Sequence, residues 1–152
     1  MIDAPPETPS LDQQAQEILR NSLDQSQQLL DEGRYRQAVQ ELLWLLETIS
    51  TAFQGVETDN GAVGGKYFNK IVDDLRHRRH GTALDRALDW IVRLHGYLSS
   101  PTGGGIRHGG DLAGGATTNA HEARLFCNLI RSYVYFLIAE HEQLTGARRV
   151  LD

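Results

Sequence analysis

From Ser10 to Leu144 the apolar side chains return every three or four residues in five separate segments, and nowhere do they alternate with polar ones over the length of a strand. A stripe of that period stays together only on an α-helix, because a strand would divide the same residues between two faces. The sequence therefore predicts an all-α fold without a sheet, a single bundle of about five helices. Ser10 with Gln13 forms a capping box that opens the first helix. Its apolar positions are Ile18, Leu19, Leu23, Leu29 and Leu30, and Gly33 should end it. A second helix is expected from about Tyr35 to Phe53, with an apolar face wide enough to place it at the centre of the core. Residues 55–66 read as a loop, and a third helix spans about 67–79 and stops at Gly81. Thr82 with Asp85 caps a fourth, running to about Leu98, and Asn119 with Glu122 starts a last one, running to about Leu144. Trp44, Leu45, Trp90 and Phe126 are expected to be substantially buried.

A chain of 152 residues with 40 % hydrophobic and 23 % charged content suffices for one folded domain without disulfide or metal staples. The expected organisation is a disordered lead at 1–9, the helical bundle at 10–145 and a tail at 146–152. The lead holds Pro5, Pro6 and Pro9 among acidic residues and lacks the basic and apolar regions of a signal peptide. No stretch approaches the roughly 20 apolar residues of a membrane span. Cys127 is the only cysteine, so no internal disulfide forms, and a cytoplasmic location is the expectation.

The net charge of −5 is unevenly spread. Residues 1–60 carry 3 basic and 11 acidic side chains, whereas 66–108 carry 8 basic and 4 acidic. Such an asymmetry marks either a surface facing a polyanion or a charge match between two packed halves. Within it, Arg76-His77-Arg78-Arg79-His80 closes the third helix, where cations are favoured by the helix dipole. Gly61-Ala-Val-Gly64-Gly65-Lys66-Tyr67 fails as a phosphate loop, because Tyr67 replaces the magnesium-binding hydroxyl and no strand precedes it. His77 and His80 sit among arginines that repel a cation, so neither a zinc site nor any cofactor is expected. The turn at Glu32-Gly33-Arg34-Tyr35 resembles that of a tetratricopeptide unit, but the repeat it requires does not recur.

Two features point to chemistry. Seven glycines lie between Gly103 and Gly115, and among them stand Arg107, His108 and Asp111. Glycine loses the most backbone entropy on folding, so this concentration implies a sharp turn or close approach. An arginine beside a titratable imidazole suits a phosphate. Projected at about 100° per residue, the last helix then aligns His121, Arg124, Asn128, Arg131 and Tyr135 on one polar stripe. That stripe either faces solvent along a seam or lines a pocket with the loop that precedes it.

At Gly105-Ile106-Arg107-His108-Gly109-Gly110, Glu122-Ala123-Arg124-Leu125 and Asn128, the chain resembles the C-terminal domain of bacterial abortive-infection proteins, within the wider HEPN group of all-α bundles. The resemblance covers roughly residues 87–144. It implies a homodimer in a defence or toxin–antitoxin system, and in active members a metal-independent endoribonuclease. His108 then matches the catalytic histidine, Arg107 and Arg124 would hold the scissile phosphate, and Asn128 would orient the substrate. His121 and Arg131 extend the binding surface. The chain departs from the group's signature of an arginine followed by four to six residues and then that histidine, since Pro101, Thr102 and Gly103 stand where the arginine should be. Two readings follow: an RNA-binding or degenerate ribonuclease module, or a non-catalytic adaptor or antitoxin-like module that meets a protein partner.

Overall fold

The computed structural model describes residues 11–100 and 118–151. Among them are five helices, α1 (Leu11–Asp31), α2 (Tyr35–Thr51), α3 (Phe68–Arg78), α4 (Ala83–Ser99) and α5 (Ala120–Leu151). The all-α class is as the sequence predicts, with one correction. A minimal antiparallel hairpin, β1 (Glu57–Thr58) with β2 (Gly61–Ala62), occupies the expected loop. Strands of two residues are too short for alternation to register. Their turn is set by Asp59-Asn60-Gly61, with the Asn60 N–H donating to Thr58 Oγ1 at 3.1 Å.

α1 ends as its sequence requires. The Arg34 N–H donates to the Leu29 carbonyl and the Gly33 N–H to that of Leu30, a Schellman pair, with Gly33 at φ +78°. α2 then returns antiparallel to α1, with Ser22 donating to Glu41 and Ser26 to the Ala38 carbonyl. α5 lies parallel to α2: Cys127 sits beside Ser26 near the start of α2, and His141 reaches the Ala52 carbonyl at its end. A parallel pair needs a long connection, and α3, α4 and the segment 101–117 supply it. The last helix continues through Leu151 rather than stopping near Leu144, so the expected tail at 146–152 is helical as far as 151.

α2 is the central element. Leu42, Leu43, Leu45 and Leu46 are all fully buried, each contributing about 1.5–3 kcal/mol of transfer free energy. α3 and α4 close over it with Ile71, Val72, Leu75, Leu84, Leu88 and Ile91, and α5 with Ala123, Cys127, Ile130, Val134 and Leu137. Leu45 is buried as expected, but both tryptophans are not: Trp44 is 50 % exposed and Trp90 54 %. At about 100° per residue, Trp44 projects nearly opposite to the arc already filled by its leucine neighbours. Trp90 falls well outside the arc defined by Leu84, Leu88, Ile91 and Leu98. Phe126 lies at the edge of its own arc and is partly buried, its ring 6.0 Å from that of Tyr97.

The basic run at the end of α3 is held in internal contacts. Arg76 pairs with Asp85 at 2.9 Å and Asp89 at 3.4 Å, and Arg78 with Asp74 at 2.7 Å. Arg78 also donates to the Asn60 carbonyl, tying the hairpin to the C-terminus of α3.

Candidate functional site

The polar stripe of α5 is built from its first turn. Asn119 Oδ1 accepts the Glu122 N–H at 2.9 Å, and Asn119 Nδ2 donates to Glu122 Oε1 at 2.6 Å, so the expected cap is closed. Beyond it His121, Arg124, Asn128 and Tyr135 are exposed, and Arg131 is half-buried. The stripe therefore faces outward among the described residues. It flanks the buried arc on the side of Cys127, which approaches Ser26 of α1 to 3.7 Å, and away from Phe126, which meets α4. Arg131 Nε is buried and has no hydrogen-bond partner among the described residues. A donor left in that state costs about 1–3 kcal/mol relative to a satisfied one. Arg107 and His108 lie outside the described residues.

Cys127 does not belong to the chemistry of this face. Burial pushes its thiol up, against the smaller opposing effects of the Ser26 contact and the Arg131 charge. A thiol held protonated in an apolar setting is a poor nucleophile.

A second cluster, absent from the sequence reading, lies between α2, α3 and α4. His95 is only 7 % exposed, and its Nε2 donates to Glu47 Oε1 at 2.7 Å. Its ring packs on that of Phe68, with centroids 4.3 Å apart. His95 and Glu47 form one wall of a pocket of about 440 Å³, completed by Thr48 and Thr51 of α2 and by Lys66, Tyr67, Phe68 and Asn69 at the start of α3. One signal was present in the sequence. His95 keeps step with Leu84, Leu88, Ile91 and Leu98 on the buried stripe of α4, and a polar residue there needs a partner. The partner, Glu47, is 48 positions away, and its proximity follows from tertiary packing alone.

Among the described residues no helix is long and apolar enough to cross a membrane, and no group of three or more His, Cys, Asp or Glu side chains is placed to hold a metal ion. The chain matches no protein-family model, no curated protein and no solved structure.

Proposed function

We propose that this chain is a HEPN-like helical domain of a bacterial or phage defence system, of the abortive-infection or toxin–antitoxin kind, and that it contacts RNA through the outward stripe of α5. The observation that carries the reading is the stripe itself. Arg124, Arg131 and His121 share one outward flank with the Asn128 amide and the Tyr135 phenol. Guanidinium and amide groups in a row suit successive phosphates, and an exposed tyrosine offers a stacking face for an unpaired base. The proposal extends the stripe to Arg107 and His108 on the sequence alone.

In the catalytic form of this reading, His108 serves as general acid or base and Arg107 and Arg124 hold the scissile phosphate. The missing arginine at 101–103 favours binding without cleavage, because an imidazole by itself does not stabilise charge developing on phosphorus. The unit is a cytoplasmic homodimer, by the same resemblance. A second reading, an adaptor or antitoxin-like module with a protein partner, is favoured by one observation, the half-exposed Trp44 and Trp90.

A titration of labelled single-stranded RNA at two salt concentrations tests the proposal. Arg124→Ala should weaken binding about tenfold and reduce the salt dependence by about one phosphate contact. In parallel, His108→Ala should abolish any cleavage the wild-type protein shows without changing its thermal melt. Wild-type protein that neither binds nor cuts RNA overturns the proposal in favour of the adaptor.

A further inference from the structure

α4 carries a second apolar row beside its buried arc. Trp90, Leu94 and Tyr97 follow one another at spacings of four and three residues, the repeat with which one helix packs along another. Trp90 and Tyr97 are each half-exposed, while Leu94 packs partly against the core. Phe126 of α5 extends the row sideways, its ring 6.0 Å from that of Tyr97. The row runs for about 10 Å along α4, or two helical turns. Large apolar side chains scattered singly need no partner, whereas a run of them along one helix leaves a contiguous patch of the kind a partner covers. The edge of the row is charged. Arg86 and Arg93 stand four residues before Trp90 and three after it, so both are its neighbours on the helix surface. Projected at about 100° per residue, both fall on the side away from the buried arc. Arg93 is exposed and meets Asp89 of its own helix at 3.4 Å. Arg86 is exposed and in no ion pair among the described residues.

We propose that this face of α4 docks an amphipathic helix of a protein partner, one whose apolar stripe is flanked by glutamate or aspartate. The apolar part follows from the row. An incoming helix with large aliphatic side chains at the same spacing covers Trp90, Leu94 and Tyr97 over two turns. The acidic flank follows from Arg86 and Arg93, which stand where the edge of such a helix passes. Complementary charge there fixes the orientation of the partner and rejects partners of the wrong sign. The same two arginines argue against a second copy as occupant, because an antiparallel two-fold pairing of α4 with its equivalent sets cation against cation. Nucleic acid suits the face less well. Leu94 and Phe126 lie among the exposed rings and offer a phosphate nothing, and Asp89 stands behind the arginines on the same flank. The inference does not depend on what the α5 stripe binds.

The test is fluorescence anisotropy of two labelled, covalently stapled helical peptides of about 18 residues, five turns each, titrated with the whole chain. Both carry leucine at the spacing of the row. One has glutamate on both flanks of that stripe and the other has lysine. The glutamate peptide should bind saturably and about tenfold more tightly than the lysine peptide. Trp90→Ala should remove the binding. The double variant Arg86→Glu/Arg93→Glu should reverse the preference, taking the lysine peptide about tenfold more tightly. Both arginines are exposed, so this variant keeps the fold and tests the face even where Trp90→Ala lowers stability. Arg124→Ala should leave both titrations unchanged, which separates failure of this face from failure of the RNA proposal. Failure of both peptides to bind overturns the proposal, as does equal binding of the two or an unchanged preference in the double variant. Binding of RNA or anionic vesicles that is lost in Trp90→Ala also overturns it. So does a wild-type dimer that Trp90→Ala turns into a monomer, which would give the face to a second copy.

Discussion

Asp85 is a carboxylate in the first turn of α4 with almost no access to water, and three donors surround it. The Gly81 N–H reaches it at 3.0 Å and Arg76 Nε at 2.9 Å, while His80 Nδ1 lies 3.6 Å away. The Gly81 hydrogen bond first, and then that from Arg76, hold its pKa below the ordinary aspartate value. Asp74 is held low in the same way, by Arg78 first and then by the Gly64 N–H. A carboxylate whose folded pKa lies below its unfolded one stabilises the native state fully above the unfolded value and loses that contribution as pH falls through the folded one. The urea midpoint should therefore fall as pH drops below about 4. Asp85→Asn should cost about 2 kcal/mol at neutral pH and flatten part of that acid dependence. A variant whose acid profile matches that of the wild type would contradict the assignment. At this scale the sequence was legible where partners are local. Thr82 does cap Asp85, but the fixing of His95 by Glu47 depends on helices that only the fold brings together.

The helices were legible because each carries its own signals. Gly33 ends α1, Thr82 caps α4 and Asn119 caps α5, all as their residue types require. What periodicity misjudged was the reach of each buried arc. A wide apolar face on α2 put Trp44 in the core, yet the neighbouring leucines alone fill that space. The hairpin escaped notice because two residues make no pattern, although its exit matters for the pocket. Gly65, at φ +112°, lets the chain turn from β2 into α3, and a Cβ there would stand 2.8 Å from the Ile71 nitrogen and the Lys70 carbonyl carbon. Gly55, at φ +80°, has open space around its missing Cβ. Gly55→Ala should thus cost about 1 kcal/mol from backbone conformation alone, whereas Gly65→Ala should lower the melting temperature clearly more, because the backbone of α3 must also move. Equal melting shifts for the two variants would show that the entry into α3 is not as tight as described.

For the molecule as a whole, the basic segment at 66–108 is neutralised mainly by its own acids rather than by the acidic first 60 residues. Arg76, Arg78 and Arg79 are spent on Asp85, Asp89, Asp74 and Asp59. Arg124 and Arg131, by contrast, sit on the outward stripe of α5. The proposed homodimer is checked by light scattering, which should give twice the 17.0 kDa mass of one chain; a 17.0 kDa species at every concentration would exclude it. Of the candidate site, the stripe on α5 was legible from helical period, and the fold places it outward. Arg107 and His108, in the glycine-rich segment, lie outside the described residues. The most direct measurement is fluorescence anisotropy of a labelled single-stranded RNA titrated with the wild-type chain, Arg124→Ala and Lys66→Met. Binding that weakens with salt, falls about tenfold in Arg124→Ala and is unchanged in Lys66→Met is the expected result. Wild-type protein that leaves the RNA free, or binding equally strong in Arg124→Ala, would contradict an RNA-contacting role for α5.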